Sequence, residues 1–214
     1  MELTQTEHNI LLGTLLGDAF LQKRGKKARL RICHSFKQKE YVDWKYSQLC
    51  RLCQRTQSPK IKKVQLNAKL CYETYSFATQ SEDILLQYHS LFYNLNKNGK
   101  YYKKLSPKLF KYIKHPLSLA VWWLDDGYRR TDCNGGRLYT QCYTLKEQQL
   151  LQNILLKNYK INSNIVRHYI RKKKVYYYLS IPSKKKNFNE FLDCISIYAD
   201  SINCMRYKFE PRND

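Results

Sequence analysis

Two apolar runs that each end in acid set the pattern of this chain. Leu119 to Leu124 is uninterrupted and is followed by Asp125, Asp126 and Gly127. Leu11-Leu12-Gly13-Thr14-Leu15-Leu16 is followed by Gly17, Asp18 and Ala19. Pro116 stands where a helix can begin without losing a needed N–H. Asp125 and Asp126 then fall at or near the C-terminal end of a buried helix. Thr4 or Thr6 can cap the first helix, which runs to about Asp18. The helix dipole leaves partial negative charge at such an end, so the acids need a cation or another reason to be there. Asp18 and Asp126 correspond at a shift of 108. Gly13 and Gly17 are four apart and share one face. Glycine is costly inside a helix, so the pair predicts that another backbone, that of the other acid-tipped helix, comes very close.

Between these runs the periods alternate. Lys23 to Lys27 reads as a basic turn around Gly25, and Arg29 to Cys33 as a half-buried strand of period two. Gln38 to Arg55 reads as an amphipathic helix. Lys60 to Leu66 and Lys69 to Thr79 read as strands joined by a turn at Asn67-Ala68. Ser81 caps a helix to Asn94, Asn96 to Lys104 is a polar link, and Pro107 opens a short helical piece. The order then repeats. Tyr128 to Gln141 is a hairpin around Asn134-Gly135-Gly136, and Leu145 to Tyr159 a helix. Asn164 to Arg171 and Lys174 to Ile181 are strands, Ser183 to Tyr198 a helix, and Met205 to Lys208 a closing tail. Arg29 to Cys33 matches Arg137 to Gln141 at the shift of 108. Tyr72 to Thr79 matches Tyr176 to Ser183, and Lys104 matches Lys208, at 104. The class is α+β: two pseudo-symmetric halves, 1–104 and 105–214, each ordered α-β-β-α-β-β-α.

Charge changes the picture. The 39 Lys and Arg against 17 Asp and Glu give +22, which points to a polyanion. No apolar run reaches the length that spans a bilayer, and no signal-peptide pattern precedes the first motif, so membrane attachment is not expected. The 19 Tyr, 8 Phe and 3 Trp suit an ordered fold and surfaces that lie against bases. Only Cys50 and Cys53 form a C-x-x-C pair, and no second pair follows at zinc spacing. The eight cysteines read as free thiols of a reducing compartment. Abundant Lys, Tyr, Asn and Ile suggests an AT-rich coding sequence, hence an intracellular, organellar setting in a chloroplast or mitochondrion.

These residues closely resemble the LAGLIDADG homing endonucleases in their single-chain, two-motif form. The resemblance is carried by Leu119 to Gly127, with Lys104-Leu105-Ser106-Pro107 upstream, Tyr139-Thr140-Gln141 downstream and Met205-Arg206-Tyr207-Lys208 at the end. It implies a saddle of two β-sheets lying on DNA, with the motif helices packed at its centre. It implies that Asp18 and Asp126 hold two or three Mg²⁺ ions at the scissile phosphates, with Gly17 and Asp125 beside them. It further implies a monomer that makes a double-strand break with 3′ overhangs in a long target, promoting mobility of its host intron. Two departures stand out. Ala19 follows the first acid where the full pattern has glycine, and Val121 and Asp125 replace Gly13 and Gly17, so the close contact must be asymmetric.

Phosphodiester hydrolysis needs an aligned water, charge relief at the phosphate and help for the leaving oxygen, which metal ions supply. Mg²⁺ keeps several waters and needs one or two carboxylates besides phosphate oxygens, and Asp18 and Asp126 offer one from each half. Lys104 and Lys208 are expected beside the metals, where they stabilise developing charge. Gln141 is expected to order water near Asp126. Strand parity sends Arg29, Arg31, Arg137, Tyr139, Gln141, Arg167, Tyr169, Arg171, Tyr176, Tyr178 and Ser180 to the DNA side. Lys23, Lys26, Lys27, Lys172, Lys173 and Lys174 sit at turns that meet phosphates. Arg24, Lys63, Tyr72 and Arg129 join the same surface. The rival readings are an RNA maturase that helps its host intron fold, and a transcription factor that uses the sheets without cutting. Retention of both acids favours the nuclease.

Overall fold

The computed structural model describes residues 2–54, 58–67 and 70–210. The expected turn at Asn67-Ala68 and the expected helix end at Arg55 fall partly outside them. Helix α1 (Gln5–Leu16) starts at Thr4, not Thr6. The Thr4 hydroxyl accepts the Glu7 N–H at 3.2 Å while the Glu7 carboxylate accepts the Thr4 N–H at 2.7 Å, which satisfies two otherwise orphaned donors. Then come β1 (Phe20–Arg24), β2 (Lys27–Ser35), α2 (Lys39–Leu49), β3 (Lys60–Asn67), β4 (Leu70–Ala78) and α3 (Ile84–Phe92). A small hairpin, β5 (Tyr93–Leu95) and β6 (Tyr101–Lys103), and a single turn, α4 (Leu109–Tyr112), lead to the second series. That series is α5 (Pro116–Asp126), β7 (Gly127–Arg129), β8 (Gly136–Leu138), α6 (Leu145–Tyr159), β9 (Asn164–Arg171), β10 (Lys174–Ile181) and α7 (Asn187–Ile195). The α-β-β-α-β-β-α order therefore occurs twice.

Several local expectations shift. The polar link carries the β5–β6 hairpin, turning at Gly99 with φ +71°. Asp83 rather than Ser81 receives the first N–H of α3. Helix α2 stops at Leu49, so Cys50 lies in a short 3₁₀ turn with Cys53 at its end, and all eight cysteines are unbridged. The last helix is shorter than expected because 3₁₀ turns, Lys184–Lys186 and Ser196–Tyr198, flank it.

Each series builds one antiparallel four-stranded sheet, ordered β1-β2-β4-β3 and β7-β8-β10-β9. The ladders also correct the internal alignment. Phe20 and Tyr128 each lie two residues beyond their acid, and they pair with Arg31 and Arg137. Arg31, not Arg29, is thus the counterpart of Arg137. Counting on, Cys33 answers to Tyr139, His34 to Thr140 and Ser35 to Gln141. The second hairpin is two residues shorter between those pairs, and a fixed sequence shift cannot follow that.

The helices cover one face of each sheet. Along β2 burial alternates, with Ala28, Leu30 and Ile32 inward and Lys27, Arg31 and Cys33 outward. Helices α1 and α5 pack along each other at the centre. A Cβ on Gly13 would lie 2.5 Å from the Ser118 carbonyl oxygen and 2.7 Å from Val121 Cβ, and one on Gly17 would lie 2.4 Å from Asp125 Cβ. The contact is asymmetric: glycine on α1 meets side chains on α5. One continuous apolar cluster, including the fully buried Trp122 and Trp123, runs through both series.

Helix propensity alone predicts that Gly13→Ala stabilises the fold by up to about 1 kcal/mol. The contact at 2.5 Å predicts the opposite. Overpacking of this kind costs about 1–3 kcal/mol, so the urea midpoint should fall. A midpoint that stayed or rose would mean that α1 and α5 do not touch in this way.

Candidate active site and nucleic-acid interface

Packing α1 on α5 brings two helix C-termini and three carboxylates together. Side-chain donors reach carbonyls at both ends. Lys103 Nζ donates to Gly17 O at 2.8 Å, and Tyr143 OH to Leu16 O at 2.7 Å. On α5, Lys208 Nζ donates to the carbonyls of Trp123 (3.3 Å), Leu124 (2.5 Å) and Asp125 (2.9 Å). Cations suit helix C-termini, and Lys208 stays there although burial lowers its pKa to about 8. Lys104 is exposed, and the place expected for it belongs to its neighbour Lys103. Lys103 ends β6 and reaches Gly17, whereas Lys104, one residue beyond the strand, is exposed.

The three acids differ sharply. Asp125 has a side chain wholly removed from water. Its Oδ1 accepts from Tyr41 OH at 2.8 Å and Lys45 Nζ at 2.6 Å, and its Oδ2 from Thr14 Oγ1 at 2.9 Å and the Asp18 N–H at 3.2 Å. Burial would raise its pKa, but Lys45, His34 and Tyr41 overcome this and hold it below the usual range. Asp18 is 44% exposed at its side chain. Loss of solvent and the nearby Asp125 charge push its pKa up to about 6. Asp126 is half-buried, and desolvation, then Asp18 and Asp125, raise it well above the ordinary value.

This pattern tests the expected metal site. Ligand atoms of Asp18, His34 and Asp125 lie within 4.8 Å of one another. Both Asp125 oxygens already accept from protein donors, and the Gly17 carbonyl receives Lys103. Asp18 and Asp126 are less engaged, and loss of solvent together with the neighbouring carboxylates raises both pKa values despite Lys103 and Lys208. A divalent cation relieves such charge, and oxygen donors suit Mg²⁺ or Mn²⁺. The residues present fit the group.

The sheet faces turned from the helices carry most of the expected contacts. Arg31 lies over Phe20 at 5.6 Å, and its counterpart Arg137 over Tyr128 at 5.9 Å and Tyr178 at 5.4 Å. The Arg137 Nε has no partner in the protein. Arg29 is tied to Gln22 at 2.8 Å across the β1–β2 ladder. Tyr169 stacks on its cross-strand partner Tyr176 at 4.6 Å. Arg24, Lys26 and Lys27 flank Gly25 and are exposed, as is Tyr72. Lys172 and Lys173 form the β9–β10 turn with φ of 49° and 63°, between Arg171 and Lys174. Gln141 Nε2 lies 3.2 Å from His168 Nδ1.

Four expected contacts lie elsewhere. Arg167 pairs with Tyr177, which alternates to the inward face with Leu179, whereas Tyr169 pairs with outward Tyr176. A bulge at His168 causes the slip. His168 therefore takes the outward place, among Tyr139, Tyr169 and Tyr178. Lys63 pairs with Glu73 on the inward parity, and the outward lysines of β3 are Lys60 and Lys62, opposite Ser76 and Thr74. Arg129 pairs with inward Gly136, lies over Phe188 and donates to Phe209 O. Ser180 has the outward parity but is only 9% exposed, between Arg137 and Asn164. The buried polar partners His34, Tyr41 and Lys45 went unmarked in the sequence, because an amphipathic helix and an alternating strand accommodate them without any break in pattern.

Comparison with known proteins agrees with this architecture. The DNA endonuclease I-ChuI of Chlamydomonas applanata is 25% identical over 219 residues, covering 100% of this chain and 98% of that protein. The cytochrome b mRNA maturase bI2 of Saccharomyces cerevisiae is 30% identical over 162 residues, 74% of this chain but only 38% of the maturase. The homing endonuclease I-WcaI, solved bound to its DNA recognition sequence, superposes with a TM-score of 0.80 at 21% identity, covering 99% of this chain and 89% of that one. The LAGLIDADG DNA endonuclease family matches residues 8–188, and with that match the chain belongs to the LAGLIDADG DNA endonuclease family.

Proposed function

We propose that this protein is a homing endonuclease that makes a Mg²⁺-dependent double-strand break with 3′ overhangs in a long, asymmetric DNA target. In this reading it acts as a monomer, inside an organelle, and promotes the mobility of its host intron. The observation that carries the reading is the pair of acids, Asp18 and Asp126, brought together at two helix ends that pack through Gly13 and Gly17. Asp18 and Asp126 would hold the metal, which supplies charge relief at the phosphate and a more acidic bound water. Lys103 and Lys208 neutralise the two helix ends and keep the acids from being driven apart. Gln141, fixed by His168, orders water on the second-half side. No helix among the described residues is long and apolar enough to cross a membrane.

The outward sheet faces would read the target. A two-stranded ribbon fits the major groove, where arginine reads guanine and glutamine reads adenine. Arg31 with Cys33 and Ser35 offers one half-site a different surface from Arg137 with Tyr139 and Gln141, so an asymmetric target follows. A second reading, RNA maturase, is favoured by the likeness to the yeast bI2 protein. Retention of both acids favours cleavage, and the two activities are compatible.

Incubation with Mg²⁺ and duplex DNA spanning the insertion junction of the coding intron separates these readings. Cleavage of both strands is expected, and binding to the intron RNA without cleavage would establish the maturase instead. Asp18→Asn and Asp126→Asn should each abolish the double-strand break while leaving DNA affinity within a few-fold. Variants that cut at the wild-type rate would remove these acids from the active site.

Salt should weaken binding steeply. Each phosphate neutralised contributes a slope of about −0.9 in a log–log plot, and roughly six to ten contacts imply a loss of about 10³ to 10⁵ between 50 and 200 mM. Replacing Lys172, Lys173 and Lys174 together by Ala should flatten the slope and keep the preferred sequence, whereas Arg137→Ala should relax preference at one or two base pairs. Titrations at several salt concentrations on single-base target variants decide this. The lysine turn would lose its assigned role if the triple variant kept its slope and changed its sequence preference.

A further inference from the structure

Beneath the first acid lies a polar cluster that the second half lacks. Lys45 is fully buried on α2, with His34 beside it at the end of β2. Lys45 Nζ lies 2.6 Å from Asp125 Oδ1, 2.9 Å from Thr14 Oγ1 and 3.1 Å from His34 Nε2. An ammonium has three donors and no acceptor, so His34 Nε2 must accept. On the other side of the ring, His34 Nδ1 lies 3.1 Å from Gln38 Oε1 and 3.5 Å from Asp18 Oδ2. Gln38 Nε2 donates to Tyr207 OH at 3.1 Å, which turns the amide oxygen toward the imidazole. As placed, both of these neighbours accept from a protonated Nδ1. Both sides of the ring thus favour one tautomer: the Lys45 ammonium demands it outright, whereas the Gln38 amide can turn over and serve either. The Tyr41 ring completes the enclosure, 4.2 Å from Lys45 Nζ and 5.3 Å from the His34 ring.

In the second half the corresponding places hold Thr140 and Leu151. Thr140 follows Arg137 as His34 follows Arg31. Leu151 stands in α6 where Lys45 stands in α2. Thr140 Oγ1 is turned to Gln148 Oε1 at 2.7 Å, and Leu151 is buried in the apolar core.

We infer that His34 and Lys45 are positioning residues for Asp18 alone: Lys45 fixes the His34 tautomer, and the His34 Nδ1–H then orients the Asp18 carboxylate. Such outer partners fix the orientation and raise the effectiveness of groups that bind a metal or act in catalysis. His34 Nδ1 lies 3.1 Å from Gln38 Oε1 and 3.5 Å from Asp18 Oδ2, and the Asp18 backbone N–H donates to Asp125 Oδ2 at 3.2 Å. His34 is in this account a donor to the acid and not a metal ligand. The consequence rests on the nuclease reading: one strand of the target depends on His34, and the other does not.

Two measurements test this. In metal-free protein, ¹⁵N–¹H correlation spectra of the His34 ring should show Nδ1 protonated and Nε2 bare. In Lys45→Met/Asp125→Asn, which removes the buried pair together and leaves no lone charge, the second tautomer should appear. A protonated Nε2 in the wild type, or an unchanged tautomer in the double variant, overturns the inference whatever the enzyme does. The second measurement follows each strand of a separately labelled duplex, recovered by selection from a randomised library. His34→Phe should slow one strand at least tenfold, leave the other within twofold and accumulate nicked product. His34→Asn, whose amide N–H replaces Nδ1, should keep more of that rate than His34→Gln, whose amide replaces Nε2. Equal slowing of both strands, or His34→Gln outperforming His34→Asn, refutes the positioning role. A wild-type protein that cuts neither strand refutes the nuclease reading instead, and the spectra still decide the tautomer.

Discussion

Negative charge concentrated where α1 meets α5 is the constraint that the rest of the structure answers. Two helix C-termini point the same way, and Asp18, Asp125 and Asp126 crowd the same point. In a low-dielectric interior such an arrangement is untenable without cations. Three lysines from three different segments supply them: Lys45 from α2, Lys103 from β6 and Lys208 from the closing 3₁₀ turn. Each arrives with a specific task. Lys45 neutralises Asp125, and the other two neutralise carbonyl ends. Among the described residues, Asp18 and Asp126 receive no such direct partner and feel these lysines only at a distance.

The Lys45–Asp125 pair also ties the two series together chemically. Breaking a buried ion pair by removing one partner costs about 3–5 kcal/mol, while replacing both by apolar groups is often neutral. The pair is therefore a weak argument for stability but a strong one for placement. Asp125 belongs to α5, and the hydrogen-bond donors to its carboxylate, Thr14, Tyr41, Lys45 and the Asp18 N–H, belong to the first series. The tip of the second motif is thus built into the floor of the first.

Much of this was legible in the sequence where one rule acts alone. The acid-tipped runs, the glycine spacing, the β9 and β10 boundaries and the alternation along β2 follow from period and charge. What escaped depends on relations between segments. The bulge at His168 reverses parity for Arg167 without any glycine or proline to announce it. The second hairpin's shorter length moves the match of Gln141 from Cys33 to Ser35. Lys103 and Lys104 are identical in type, and only the end of β6 separates them. Lys45 on a helix reads as a solvated charge, because the carboxylate that buries it is far away in sequence.

Among the described residues no ladder joins one four-stranded sheet to the other. Substitutions on one reading face are therefore not transmitted through backbone pairing to its twin. The seam is different, since Gly13, Gly17, Ser118, Val121 and Asp125 are shared property of both series. Either sheet face can thus change its side chains without disturbing the other, so long as the seam between α1 and α5 keeps its close fit.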